Sequence, residues 1–469
     1  MSDNPLESLL DPLPSTTPKL SSKKHYELDR RRFFVLFQFS VLNCNQCLVW
    51  FSFSSCDQDI MSSFFGPLAS QANINLLLNW GPIIGMLTFL LQYWLKWHRS
   101  VENTFDLPTV MKLSVGLSVT GSFLRLLPIL LSTLYDDISY RQTTFAFCCY
   151  HICAILNAAS GPLIMGSVSL LSATWFSEEE RTTATAVAQT SNGLGTTIGF
   201  LNPILFDIKD STIPSVSRVS YIFYTTAIIS VAPLLCIPYI PSKPDHPPSR
   251  SQSEKANEVG TETASLKLSS TSFVVLILVC AILSGVSDGW QGCFQSILNP
   301  VGIDNKAVGW IGFSNCVAGN VAAVVSGVIM DRVFRRRFKA AIILCLSCAL
   351  ISTMWFTAQI QEWVVSTQTL LVVAISLNGV FKDACSPLFY ELAAELIYPM
   401  KESMSAGIIV FLLNMSAGVM IFLDSYLDGG GMNYGMCGVL FIVILFVSAF
   451  VKEAYKRPSA FFDTQTNNG

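Results

Sequence analysis

The sequence predicts an all-α membrane protein with twelve transmembrane helices in two six-helix bundles, and three observations predict it. The first is composition. Of 469 residues, 51% are hydrophobic and 13% charged, and the mean hydropathy is +0.49. A soluble domain carries about 25% charged residues, so much of this surface faces lipid. The second is the length of the apolar runs, about 20 residues, at which a helix crosses a hydrocarbon core about 30 Å thick. The runs lack the alternation of a barrel strand, and helices are the remaining way to satisfy a backbone in lipid. The third is a single hydrophilic stretch, 240–271, that divides the runs six and six.

In chain order, residues 1–32 read as a disordered cytoplasmic tail. They are polar, end in Arg30-Arg31-Arg32 and show no cleavable signal peptide ahead of the first span. Residues 33–239 form the N-terminal bundle, with spans near 33–54, 72–95, 109–131, 143–171, 183–206 and 219–239. The stretch 240–271 is rich in Pro, Ser, Lys and Glu without apolar period and reads as a cytoplasmic linker. Residues 272–451 form the C-terminal bundle, with spans near 272–294, 308–330, 339–357, 366–390, 404–424 and 433–451. A second cytoplasmic tail, 452–469, follows.

Lys and Arg orient the chain. With both termini cytoplasmic, twenty-three of the 29 fall on the cytoplasmic side and four, Arg141, Lys209, Arg218 and Lys306, on the far side. The last two, Arg125 and Lys382, fall inside spans. An odd number of spans, or one missed early, would destroy this bias. The far-side loops are short and mildly acidic and leave no room for a large ectodomain.

A net charge of −3 points to no nucleic-acid partner. The partners expected are the lipid bilayer and a small-molecule substrate, with the chain a monomer. Nearly all of the fourteen cysteines lie in apolar runs and read as small packing residues. No metal site and no cofactor is expected, since no paired CxxC pattern is present. No HExxH, no GxSxG and no clustered His ligands appear among four His, so an intramembrane enzyme is set aside.

The loop after the eighth span reads Gly327-Val-Ile-Met-Asp331-Arg332-Val-Phe-Arg335-Arg336-Arg337. The pattern G-x-x-x-D-R-x-x-R-R resembles the signature loop of the major facilitator superfamily. The resemblance implies that fold, with an Asp at a helix end meeting basic residues and a neighbouring helix N-terminus to lock the cytoplasmic gate. An anion there is favoured by the helix N-terminus and by charge-assisted Arg bonds. The matching first-half loop, 93–99, lacks the Asp-Arg pair. Ser177 with Glu180 three residues on reads as a capping box for the fifth span, and Glu180-Arg181 also stand at the gate. The second half offers Glu391 and Glu395 in the equivalent loop. Asn192 stands eleven residues after Arg181 and Asn414 eleven after Ser403, an echo expected of two related halves. The predicted gate set is Asp331, Arg332, Arg335, Glu391, Glu395, Glu180 and Arg181.

Further stretches resemble solute carrier family 49, the group of the feline leukaemia virus subgroup C receptors and the disrupted in renal carcinoma protein two. They are Gln46-Cys-Leu-Val-Trp50, Trp80-Gly81-Pro82, Asn157-Ala-Ala-Ser-Gly161-Pro162, Thr174-Trp175-Phe176-Ser177 through Arg181, Gly309-Trp310-Ile-Gly-Phe313, and Phe389-Tyr390-Glu391 through Tyr398-Pro399. The renal carcinoma branch fits best, with Gly285-Val286 and Gly289-Trp290 also in place. The resemblance covers nearly the whole membrane region and implies a facilitative or gradient-coupled transporter. It implies choline-type cations or haem for the receptor branch, and vitamin B6-type solutes in the lysosome for the other. Leu9-Leu10 follow Pro5 where a lysosomal dileucine signal would carry an acid, so either the lysosomal or the plasma membrane is expected.

Ionisable residues inside spans are functional candidates. Arg125, Asp288 and Asp383 are read as coupling candidates. Arg125 also reads as a pairing or snorkelling residue. Asp288 beside Trp290 can hold a cation by charge and cation–π attraction or take up a proton. Lys382 and Asp383 point about 100° apart on a helix and need not pair; each is expected to meet a partner on a neighbouring helix. The substrate-binding set is Gln46, Trp50, Asn157, Asn192, Asp288, Trp290 and Asn414. Asn45 and Asn378 complete the polar positions, with interhelical hydrogen bonding as the competing role for each amide. The function expected is movement of a small organic solute by alternating access, vitamin B6-like or choline-like, with Asp288 the candidate for proton coupling. A haem carrier, or a non-transporting receptor or scaffold, are the alternatives. The short far-side loops count against the receptor.

Overall fold

The computed structural model describes residues 29–53, 64–68, 70–99, 107–137, 139, 142–177, 180–202, 215–239, 241, 244, 271–332, 337–397 and 402–453. Twelve long helices cover them: α1 Arg31–Trp50, α2 Gln71–Arg99, α3 Leu107–Leu134, α4 Thr144–Met165, α5 Arg181–Gly199, α6 Ser215–Cys236, α7 Thr271–Gly292, α8 Asn305–Arg332, α9 Phe338–Ile360, α10 Gln368–Ile397, α11 Glu402–Leu423 and α12 Gly429–Phe450. Each predicted span overlaps one of these helices, the fourth continuing past a break into a short second one. Ten of them are long and apolar enough to cross a membrane among the described residues. The exceptions are the Thr-rich α5 and α11, whose apolar part is Ile408–Leu423. The linker 240–271 and both tails lie almost wholly outside the described residues.

Helix ends follow local chemistry. The Thr143 hydroxyl accepts from the Ala146 N–H at 3.1 Å at the start of α4, and the Asp428 carboxylate from the Gly431 N–H at 2.7 Å at the start of α12. The predicted fourth span does not run unbroken. It turns at Gly166 and Ser167 and restarts as a short helix, Val168–Trp175. A similar break at Cys293 follows α7 and precedes the short helix Phe294–Leu298. The capping box of α5 is also not formed. Glu180 is itself the N-cap, makes no side-chain cap bond, and takes a 3.4 Å bond from the Ser177 hydroxyl. Its carboxylate is drawn away by the guanidinium of Arg32, at 2.6 and 3.2 Å.

The neighbour relations show two related halves. In the first, α1 packs on α4, α5 and α6, α3 on α4 and α6, and α2 on α4. Adding six to each number gives the second half: α7 on α10, α11 and α12, α9 on α10 and α12, and α8 on α10. The halves meet along α2–α11 and α5–α8, contacts that the same operation exchanges. Small residues set the closest approaches, as in other membrane helix pairs. A side chain at Gly195 of α5 would collide with the Cys44 carbonyl of α1, and one at Gly285 of α7 with the Leu413 carbonyl of α11. Below, the face where α1 begins and α12 ends is the terminal face, and the opposite one the distal face.

Candidate functional site

Asn157 and Lys382 stand near the middles of α4 and α10, each five residues ahead of a proline, Pro162 and Pro387. Gln46 and Asp288 each stand four residues before the ends of α1 and α7. The two pairs occupy matching places in the two halves, and their chemistry differs. In the first half the Asn157 amide donates to the Gln46 carbonyl at 2.9 Å, and the Gln46 amide donates to the Asn157 carbonyl at 3.4 Å. Gly161, one turn on, leaves room for the Gln46 side chain. This is a neutral, reciprocal clasp between buried amides.

The second half is charged. The Lys382 ammonium lies 2.7 Å from the Asp383 carboxylate and interacts electrostatically with Asp288 as well. The expectation that the adjacent pair would look to other helices is corrected here. The lysine is buried, and its long stem curls back to its neighbour. The Asp383 carboxylate occupies the space left by the missing side chain of Gly319 on α8. Among the described residues Asp288 makes no hydrogen bond or ion pair of its own, and it is half-buried. Across the interface between halves it interacts with Cys47 of α1, which is held 3.0 Å from the Thr196 hydroxyl of α5. The Cys316 thiol of α8 donates to Gln291 at 3.4 Å beside it. Asp288 is thus a carboxylate without a bonded partner among the described residues, at the level where the two halves meet.

On the distal side of this level, aromatic rings of both halves meet among the described residues. Phe51 packs against Phe200 at 5.8 Å between ring centroids, and Phe200 against Phe294 at 6.1 Å, so aromatic rings of both halves form a plug. Farther out, the Asn75 amide of α2 donates to Asp424 and Ser425 at 3.2 Å each, and the Ser296 hydroxyl donates to Asp424 at 2.7 Å. Asp424 lies just beyond α11. Its burial raises its pKa above the usual carboxylate range, against the opposing pull of the Ser296 and Asn75 hydrogen bonds.

Other predicted residues lie elsewhere. Trp290 is fully buried in the second half, its indole N–H donating to Asn433 of α12 at 2.8 Å and its ring against Phe294 and Phe356. It packs in the core of the second half, and two residues of helix turn it away from Asp288. Trp50 donates to the Leu78 carbonyl of α2 at 2.9 Å and meets Phe51 edge-on, which places it at the plug. Arg125 is enclosed by α3, α4 and α6, bonded to the Thr226 hydroxyl at 2.5 Å and lying 4.2 Å over the Phe223 ring. It neither snorkels nor reaches the Asp288 level. Asn192 donates to Asn43 of α1 at 3.2 Å, whereas its counterpart Asn414 bonds its own helix and faces Gly85 of α2 across the interface. Asn45 bonds Ser230 and Asn378 bonds Thr353, each at 2.7 Å within its own half.

At the terminal face Glu180 is paired with Arg32, whose guanidinium also lies over Phe33 and Phe176 at 4.7 and 5.6 Å. Asp331 and Arg332 end α8, Glu391 and Glu395 lie on α10, and Arg181 opens α5. Their side chains, and Arg335 altogether, are outside the described residues. Sequence reasoning missed Arg32, Asn43, Asn75, Asp424 and the phenylalanine plug. Only the position of Asp424 at a span end carried a signal.

No family model matches the chain. The solute carrier family 49 member 4 homolog of Xenopus laevis is 32% identical over 445 residues, 91% of this chain and 92% of that protein. The human choline/ethanolamine transporter FLVCR2 is 26% identical over 460 residues, 94% and 81% of the two chains. Among solved structures, the inward-open xylose transporter XylE from E. coli superposes with a TM-score of 0.65 at 13% identity, covering 90% of this chain and 97% of that one. A bacterial homologue of the iron transporter ferroportin, inward-facing, gives 0.59 at 12%, covering 90% and 99%. These two likenesses show the fold, the twelve-helix major facilitator architecture, while the sequence relatives show the kinship. The chain belongs to solute carrier family 49 and is a multi-pass membrane transporter, not an enzyme.

Proposed function

We propose that the chain carries a small organic solute of choline, ethanolamine or vitamin B6 type by alternating access, with Asp288 as the anion that receives it. The observation that carries this reading is the Asp288 carboxylate, without a bonded partner among the described residues, at the meeting level of the two halves, opposite the neutral Gln46–Asn157 clasp. A carboxylate in the membrane interior attracts a cation or a proton. The name of the human relative, a choline/ethanolamine transporter, supports a cationic cargo. In this reading the bundles 33–239 and 272–451 rock about the α2–α11 and α5–α8 contacts. The stretch 240–271 links them, and 1–32 and 452–469 are cytoplasmic tails. The gate set Asp331, Arg332, Arg335, Glu391, Glu395, Glu180 and Arg181 closes the terminal face. The transporter acts as a monomer in the lysosomal or plasma membrane.

The test is flux into proteoliposomes of choline, ethanolamine, pyridoxine and haem, with and without an acid gradient. Flux of one of the first three, lost in Asp288→Asn, is the expected result. No flux of any of them overturns the reading. A pH dependence unchanged in Asp288→Asn removes the proton from its role.

A further inference from the structure

We infer that Lys382 is a tethered counter-ion shared between Asp288 and Asp383, which lets the carrier recross the membrane with its cargo site empty. This rests on the cationic-cargo reading above.

Three observations carry it. First, packing does not require a charge at this place. The equivalent position in the first half is Asn157, which meets its helix neighbour by neutral amide bonds alone. Second, the ammonium is paired with one acid and lies within electrostatic range of the other. It lies 2.7 Å from Asp383 and interacts electrostatically with Asp288, while Asp288 has no bonded partner among the described residues. A lysine suits this, being a compact charge on a flexible four-carbon stem. Third, the charges sum suitably. Two carboxylates and one ammonium leave one uncompensated negative charge, which a monovalent cargo cation neutralises. The groups facing the cluster from α1 and α8 are the thiols of Cys47 and Cys316. Uncompensated charge inside a membrane is costly. Without Lys382 the empty carrier would cross with two such charges and the loaded carrier with one.

The experiment compares Lys382→Gln with the wild type in two ways. The first is thermal unfolding of the purified full chain. Lys382→Gln lowers Tm, and adding Asp288→Asn recovers most of the loss. If only Asp383→Asn recovers it, the lysine serves its chain neighbour alone and the inference falls. The second uses labelled choline in proteoliposomes. Exchange, with choline on both sides, needs only the loaded carrier, whereas net uptake needs the empty return. Lys382→Gln gives the loaded carrier the single charge that the wild-type carrier bears when empty, so exchange is expected to fall no further than the wild-type rate of net uptake, while net uptake slows more steeply, by about tenfold or more, as when a buried charge loses its partner. A parallel fall of both fluxes, or no change in net uptake, overturns the inference. Wild-type protein that moves no choline in either arrangement defeats the cargo reading, and the Tm comparison then decides the role of Lys382 by itself.

Discussion

A methyl group at Gly285 would run into the Leu413 backbone oxygen, whereas at Gly292, two turns along the same helix, nothing lies within 4 Å. Backbone cannot rotate away as a side chain can. Gly285→Ala is therefore expected to cost about 1–3 kcal/mol, as overpacked cores do, and Gly292→Ala to leave Tm nearly unchanged. Thermal unfolding in detergent checks both. Trp290→Phe removes the N–H that satisfies the buried Asn433 carbonyl, at a cost of about 1–3 kcal/mol, with no change in cargo affinity. A changed affinity would return Trp290 to the cargo path. At this scale the sequence was legible where a polar residue type is rare in a membrane. Gln46, Asn157 and Asp288 stood out for that reason. The direction in which a side chain points was not legible. Lys382 and Asp383 pair because a long stem bends back into space that Gly319 vacates, and no periodicity encodes that.

The element that joins the halves at the distal face is the turn after α11, where Asp424 takes bonds from Asn75 and Ser296. Its raised pKa has burial as its cause. Opening the distal face would expose the carboxylate and return it toward its ordinary value. The closed form therefore holds the proton to higher pH than the open form does, and acid favours closure. A spin-label distance across the distal ends of α2 and α11 is expected to show more open protein at neutral than at mildly acidic pH. Asp424→Asn is expected to abolish that difference; a persisting difference assigns the pH response to another group. The spans themselves were legible, because apolar runs of membrane length leave a helix little alternative. The breaks at Gly166-Ser167 and Cys293 were not, since both fall inside apolar sequence with no turn signal strong enough to mark them.

For the whole molecule, alternating access requires the α2–α11 contact to part at its distal end. The Asn75 amide donates to the Ser425 hydroxyl at 3.2 Å, so cysteines at the two positions are within reach of a short, reducible bifunctional thiol cross-linker. Cross-linked Asn75→Cys/Ser425→Cys protein is expected to lose transport and to regain it when the linker is reduced, measured as choline flux. Continued transport while cross-linked would show that this end does not need to separate. The two-half architecture was visible in the sequence through the polar break at 240–271, the charge bias and the Asn192/Asn414 echo. The asymmetry between a neutral and a charged half was not. It depends on which residues meet at the α1–α4 and α7–α10 crossings, and equivalence between crossings appears only once the helices are placed.

The backbone contacts at Gly195 and Gly285 have a mechanical consequence. Where main chain touches main chain, there is no soft layer of side chains to shear. The α1–α5 and α7–α11 pairs therefore behave as stiff two-blade units, one per half. Bending during the cycle must then be absorbed by the proline-bearing helices α2, α3, α4, α6 and α10. Amide hydrogen exchange should be slowest along the two glycine seams and fastest next to these prolines, which would locate the compliance of the machine outside its most tightly joined parts.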